Sequence, residues 1–510
     1  MYGQKVPLLT SNEAAGWIGV GQTVAVSGFV GCAHPEGMTA ALERRFLEEN
    51  QPLDLTLIYA AGQGDGKDRG LNHLAHTGLV KRVIGGHFGL APKLGKLVLD
   101  NQIEGYNLPQ GVITHLFRDI AAGKPGTLTT VGLHTFVDPR YEGGKLNNRS
   151  IDDLVQLMQV NGEEVLFYPS FPIHIALLRG TTADEYGNIT MEKEAVTLEM
   201  LAMAQAARNS GGQVIVQVER IAKGGSMDPQ KVVIPSILVD AVVVCEPAEH
   251  WQTFAEVYNA SYSGEITEVV GRIQPMPLDE RKIIARRAAQ EIKSGDVINL
   301  GIGLPEGVGY IAAEDGVHDF TLLVESGPIG GVPARGLSFG ASTNPYAILS
   351  QPSQFDYIDG GGIDIAFLGM AEADQYGNVN VSKYGSKLTG CGGFINISQN
   401  AKKIVFCSTF TAGGLLLQVG EGDLTILQEG RHHKFIHQVE QITFNAHYAS
   451  QRGISVLYVT ERAVFQLVDH QLELIEIAPG MDLERDLLAL MAFRPRVTSH
   501  LKIMDRHLFR

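Results

Sequence analysis

A chain of 510 residues, 44% hydrophobic and 19% charged, is too long for one hydrophobic core and too apolar for a disordered protein, so two or more domains are expected. Its 41 basic against 56 acidic side chains leave a net charge of −15, which excludes a basic face for non-specific binding of nucleic acid or anionic membrane. No run of about 18 uncharged apolar residues offers a membrane span. The amino-terminal stretch lacks a secretory pattern, and four scattered cysteines without CxxC spacing argue against disulfides or zinc, so a cytoplasmic location is expected.

In chain order, GQTVAVSGFVGCAHPEG (21–37) reads as a strand, a glycine-bearing loop and a helix start, and LDLTLIYAAG (53–62) as a second strand. NLPQGVITHLFRDIAAGKPG (107–126) follows, then LRGTTADEYGNIT (178–190) and QVIVQVERIAKGG (213–225). Pro275 and Pro277 break any helix near 271–280 and mark a domain boundary. Immediately after, RKIIARRAAQEIKSGD (281–296) carries apolar residues at helical spacing, with Gly295 as its stop. VINLG predicts a strand, PEGVGYIAAED a helix, FTLLV a strand, and IDIAFLG and KKIVFC two further buried strands. Such alternation predicts an α/β protein with open, mostly parallel sheets.

Four of these segments recur. Residues 21–37 echo GDVINLGIGLPEG (295–307), 53–62 echo HDFTLLVESG (318–327), 178–190 echo LGMAEADQYGNVN (368–380) and 213–225 echo KIVFCSTFTAGG (403–414). All four fall in the same order. The offset drops from 265 at Asp54/Asp319 to 190 at Asp184/Asp374, so the first half carries roughly 75 extra residues between 62 and 184. Two homologous α/β domains are expected, 1–274 with the insertion and 278–510, with an active site between them.

In the third echo Ala60 faces Glu325. One half holds a methyl where the other holds a carboxylate. A carboxylate needed only for the fold should have a counterpart in both halves, so Glu325 reads as a site used once. It ends an apolar strand, where open α/β sheets gather ligands, and the sequence VESGPIGGVPARG (324–336) is stripped of bulk around it. Two chemistries fit. GIGLPEG followed 24 residues after Gly301 by Glu325 suggests a nicotinamide dinucleotide oxidoreductase, although the third glycine comes one place late and Pro305 interrupts the loop. Alternatively, Glu325 is a nucleophile toward a thioester, with backbone N–H groups for the oxyanion and no metal.

VESGPIGGVPARG, SGFVGCAHPEG, GIGLPEG and TGCGGFIN (389–396) together resemble family I CoA-transferases, in particular the single-chain propionate or acetate enzymes, over nearly the whole chain. The resemblance implies a ping-pong reaction through a glutamyl anhydride and a glutamyl-CoA thioester on Glu325. It implies oxyanion donors at Gly392 and Gly393, a carboxylate-facing Gln110, an acyl-pocket wall at Gly31 and a CoA-contacting loop at Gly413 and Gly414. It also implies coenzyme A and acyl-CoA as substrates without a permanent cofactor, a short-chain carboxylic acid as acceptor (acetate, propionate, butyrate or lactate), and a homodimer or homotetramer. A third reading is a non-catalytic acyl-CoA-binding module, since fold does not fix function. Cys391 reads as a small buried thiol, and RHHKFIH (431–437), His73 and His76 as solvated or sheet-edge histidines rather than metal ligands. The paired A-D-x-Y-G-N segments read as turns entering strands.

Overall fold

Short β-branched runs form the centre of the fold. The computed structural model describes residues 4–269, 275–317 and 319–510. Residues 270–274, where the first expected domain ends, and His318 of the third echo lie outside them. The chain forms two compact units, one of Met1–Glu268, Val324–Asp356 and Ser386–Asn396, the other of Val269–Leu323, Tyr357–Gly385 and Ile397–Arg510.

The first unit holds an eight-stranded sheet of β1 (Leu8–Leu9), β2 (Thr23–Val26), β3 (Leu55–Tyr59), β4 (Val80–Gly85), β5 (Glu104–Asn107), β6 (Ile175–Arg179), β7 (Gln213–Val218) and β8 (Ala241–Val244). The strand order is β1-β8-β7-β6-β2-β3-β4-β5, and every neighbouring pair is parallel. Parallel strands need both faces covered, which is why Val24, Val26, Leu57, Tyr59, Leu177, Ile215 and Val243 are buried in one core. Helices α1 (Glu36–Glu49), α2 (Gln110–Ala121) and α3 (Met200–Asn209) supply cover. In α2, Val112, Ile113, Leu116, Phe117 and Ile120 recur at helical spacing and are buried.

In the second unit, α4 (Glu280–Ala289) starts on an Asp279 cap whose side chain accepts from the Lys282 N–H. It stops short of the expected Gly295. Glu291 leaves the helix to bond Arg287 and Lys403, and Gly295, at φ +85°, donates its N–H to the Asp319 carbonyl at 2.6 Å. Strands β9 (Val297–Leu300), β10 (Thr321–Leu323), β11 (Ile365–Gly369), β12 (Lys403–Cys407), β13 (Ser455–Val459), β14 (Ala463–Val468), β15 (Gln471–Ile477) and β16 (Arg496–Ile503) lie in the order β10-β9-β11-β12-β13-β14-β15-β16. They are parallel from β10 to β13. Helix α5 (Glu306–Glu314) follows β9.

The sequence echoes appear as topology. The run β8-β7-β6-β2-β3 in one unit matches β13-β12-β11-β9-β10 in the other. The A-D-x-Y-G-N turns match atom for atom. Asp184 accepts from the N–H groups of Tyr186 and Asn188 and from Asn188 Nδ2, and Asp374 does the same with Tyr376 and Asn378. Between 62 and 184 the first unit adds β4, β5, α2 and a three-stranded antiparallel sheet. The architecture is mixed α/β with mostly parallel sheets, as the alternation predicts.

Candidate active site

Glu325 stands half-buried in a turn directly after β10. The turn is closed by Gly327 N–H to the Val324 carbonyl (3.0 Å) and Val324 N–H to the Pro328 carbonyl (3.0 Å). Three other segments pin it. The Ser326 hydroxyl donates to the Gly340 carbonyl at 2.6 Å, Gln354 Nε2 donates to the Val324 carbonyl at 3.0 Å, and the Leu349 N–H donates to the Gly327 carbonyl at 3.0 Å. Gly327 has φ +133°, and a Cβ there would lie 2.3 Å from the Leu349 oxygen. The bare stretch around the carboxylate therefore lets one backbone press on another, and the result is a glutamate on a fixed base.

Two neighbouring segments complete this part of the unit. In the loop after β2, Val30 (φ +55°) and Ala33 (φ +54°) hold left-handed conformations that L-residues, and β-branched ones above all, avoid. Backbone bonds to Gly62 and Gly64 hold Val30 there. Phe29 of this loop packs on Gly340, the acceptor of Ser326, and on Phe339 at 5.7 Å between centroids. The missing side chain of Gly31 makes room for Phe254, whose backbone nitrogen would be 2.4 Å from a Cβ. The second segment is α6 (Gln351–Asp359), which carries Gln354. Its Phe355 rests on Gly111 of α2, and Pro352 accepts from His115 Nε2 at 3.1 Å.

Gln110 opens α2 and is 2% exposed, and its Nε2 is buried with no hydrogen-bond partner among the described residues. Its N–H donates to the Gly392 carbonyl at 2.9 Å. The Gly392 N–H is itself committed to the Gly86 carbonyl at 2.7 Å, and Cys391 N–H to Asn107 Oδ1 at 2.9 Å. Gly393, buried in the turn that leads into helix α7 (Phe394–Asn400), and Gly390 are the loop glycines whose N–H groups those bonds do not claim. Gly31, Gln110, Glu325, Gly392 and Gly393 thus share the first unit. Gly413 and Gly414 fall in the second, their carbonyls accepting from Arg431 and Gln428.

Burial pushes the Cys391 thiol up, so it carries no thiolate at neutral pH. His73 and His76 are not solvated histidines. Both bond Glu43, and His73 also bonds Glu36 at 3.0 Å, because α1 and the 71–74 turn face each other. Among the described residues no group of His, Cys, Asp or Glu is arranged to hold a metal ion, and no helix is long and apolar enough to cross a membrane. In the glycine loop after β9, Gly301 N–H donates to the Phe367 carbonyl and Gly303 N–H to Glu306 Oε1 at 3.0 Å. A carboxylate thus occupies the place where a dinucleotide diphosphate would need free amides. Sequence reasoning missed the strained Val30 and Ala33 and the glutamines of α6. Val30 and Ala33 lie within SGFVGCAHPEG, but their left-handed backbone leaves no mark in the sequence, and the glutamines lie in no motif and show only as buried amides once the helices are placed.

A profile of the family described as Coenzyme A transferase matches residues 10–245 and 281–408. The chain is 46% identical to caffeate CoA-transferase of Acetobacterium woodii, covering 98% of this chain and 97% of that one. It is 43% identical to acetate CoA-transferase YdiF of Escherichia coli strain K12, covering 99% and 95%. The crystal structure of the acyl-CoA transferase YdiF apoenzyme from Escherichia coli O157:H7 superposes with a TM-score of 0.94 at 43% identity, over 99% of this chain and 96% of that one. A thioester complex of the same protein with CoA superposes with a TM-score of 0.93 at 42% identity, over 99% and 96%. With full-length relatives above the level at which families diverge in fold, and a glutamate fixed at a strand end, the chain belongs to the coenzyme A transferase family.

Proposed function

We propose that this protein moves coenzyme A from a short-chain acyl-CoA to a free short-chain carboxylate, with Glu325 as the nucleophile. The observation that carries the reading is the Glu325 turn, pinned from three sides and half-buried. Coenzyme A is a substrate of the reaction and not a resident group. The acetate and caffeate transferases among the relatives support a carboxylate as the second substrate.

The Glu325 carboxylate attacks the thioester carbonyl, the C–S bond breaks, and CoA leaves as thiolate with an acyl-glutamyl anhydride formed. The thiolate then attacks the glutamyl carbonyl, which releases the first acid as its carboxylate and leaves a glutamyl-CoA thioester. A second carboxylate runs the sequence in reverse. No net proton is taken up, which fits a site built of amides. Gly393 N–H, held in place by the bonds of Gly392, stabilises the developing oxyanion. Gln110 Nε2 donates to the carboxylate without neutralising Glu325. The loop of Gly31 walls the acyl group, and the loop of Gly413 and Gly414 contacts CoA. Binding of the remote parts of CoA excludes water, which would otherwise hydrolyse the anhydride. A homodimer or homotetramer is the assembly we expect.

Initial rates with acetyl-CoA and propionate, both varied, test this. Parallel double-reciprocal lines are expected, and Glu325→Ala is expected to remove transfer. Intersecting lines, or transfer by Glu325→Ala, would contradict the covalent route. Acetate, propionate and butyrate should all serve, because one methylene in an apolar pocket discriminates by only about 1–3 kcal/mol; a rate confined to one acid would contradict this.

A further inference from the structure

A second buried carboxyl lies beside the Glu325 turn. The Gly327 carbonyl accepts from the Leu349 N–H (3.0 Å), the Leu349 carbonyl faces the Thr197 hydroxyl (3.4 Å), and the Leu198 carbonyl accepts from the Gln351 N–H (3.0 Å). Residues 197–199 therefore run against 349–351, which run against the turn itself. Leu198 is a buried leucine at φ +48°, a conformation kept only where the surroundings impose it. It sets the direction of Glu199, the next residue.

Glu199 sits at the cap position of α3, yet its side chain caps nothing. It is 1% exposed, and neither carboxyl oxygen has a hydrogen-bond partner among the described residues. Its neighbours share this state. Gln351, 0% exposed, leaves both Oε1 and Nε2 unpartnered, and Gln354 leaves Oε1, Thr114 its hydroxyl and Gln110 its Nε2. Helices α2 and α3 pack along each other with their carboxyl ends joined by Asn209 Nδ2 to the Ala121 carbonyl (2.6 Å). Their amino-terminal residues Gln110 and Glu199 thus stand at the same end. So many unpaired buried polar groups in one place signal a ligand that pairs them.

The charged groups on the packed elements are engaged elsewhere. His115 and Arg118 of α2 bond to α6 through Pro352 and Asp356, Asp119 to Lys124, and Arg208 of α3 to Asp240. Burial, opposed only by its own backbone N–H and by no cation, raises the Glu199 carboxyl to about 8, so it carries its proton at neutral pH. Every unpaired donor of the cluster is then neutral. That suits an anionic acid that must lie next to the Glu325 carboxylate, since a cation there would also pair with the nucleophile and weaken it.

We propose that Glu199 is a substrate-binding residue that donates a hydrogen bond to the carboxylate of the exchanged acid, with Gln351 and Gln110 beside it, and holds that acid against Glu325. The proposal rests on the reading of Glu325 as the transferring residue.

The test is kcat/KM for acetate, with propionyl-CoA as donor, from pH 6 to 10 in wild type, Glu199→Gln and Glu199→Ala. Acetate does not titrate in this range. Wild type should lose kcat/KM tenfold per pH unit above about 8, where Glu199 ionises. Glu199→Gln, which keeps a donor that cannot ionise, should have no such limb, and Glu199→Ala should raise the KM for acetate at least tenfold at pH 7. An alkaline limb shared by wild type and Glu199→Gln, a wild type without one, or an unchanged KM in Glu199→Ala would overturn the proposal. Should the variants fail to fold by thermal melting, infrared difference spectra of wild type with and without acetate decide. A protonated-carboxyl band that shifts on binding supports the role, and one that does not overturns it. A covalent CoA adduct on wild type keeps the transfer reading intact when the Glu199 results fail; its absence removes that reading instead.

Discussion

Glu325 was legible because the chain repeats itself: its counterpart Ala60 is an inert, buried methyl at the end of β3. What fixes Glu325 was not legible. Gly327 reads as a turn residue, but its necessity comes from the Leu349 carbonyl, 22 residues away, which would lie 2.3 Å from any Cβ. Gly327→Ala should therefore cost about 1–3 kcal/mol of stability, read as a lower denaturant midpoint, and should slow covalent labelling of Glu325 by acetyl-CoA at least tenfold. Unchanged labelling would mean that the turn does not position the carboxylate. Glu199 had no motif, no repeat partner and no unusual spacing to announce it. A glutamate at the start of a helical run reads as a solvated acid favoured by the helix dipole, and only its burial without a hydrogen-bond partner among the described residues separates it from that role.

At the scale of elements, helix starts and ion pairs hold the two units. The Pro-Glu-Gly starts of α1 and α5 repeat in sequence, and both glutamates turn back to accept a loop N–H, from Gly70 at Glu36 and from Gly303 at Glu306. Burial alone would raise Glu36, but hydrogen bonds and charge from His73, with the Gly70 N–H, pull it down to about 2. The sign follows from linkage. The carboxylate contributes stability that is present above the ordinary value of 4.5 and is lost as pH falls toward about 2. His73, raised by Glu36 and Glu43 against the effect of burial, contributes below 6.5 and loses that contribution as pH climbs through its raised pKa. Glu36→Gln should have a lower melting temperature at pH 7 and a smaller further fall between pH 4.5 and 2 than wild type. In the second unit, Arg287 of α4 grips Glu476 of β15 with two bonds of 2.8 Å while bonding Glu291 at 2.7 Å. Its side chain is 7% exposed. Arg287→Ala leaves the half-buried Glu476 carboxylate without its guanidinium, while Lys403 still pairs Glu291, and should cost about 1–3 kcal/mol in chemical denaturation. Arg287→Lys should recover little, since an ammonium cannot make the two-pronged contact.

For the whole molecule, the sequence repeat translated into matching strand orders in the two units, because short β-branched runs separated by helical segments leave a parallel sheet few alternatives. Less legible was the grouping of residues. Segments 324–356 and 386–396 gather with the amino-terminal part of the chain, a consequence of hydrogen bonds between residues more than 140 apart, such as Gln351 with Leu198 and Cys391 with Asn107. Local patterns carry no record of such pairs. The central claim is that Glu325 carries CoA covalently, and intact-protein mass spectrometry after incubation with acetyl-CoA and no acceptor acid tests it most directly, on wild type and Glu325→Ala. The account predicts a CoA-sized adduct on wild type alone, released by hydroxylamine and mapped to the peptide holding residues 324–327. An adduct on both proteins, or on neither, would contradict it.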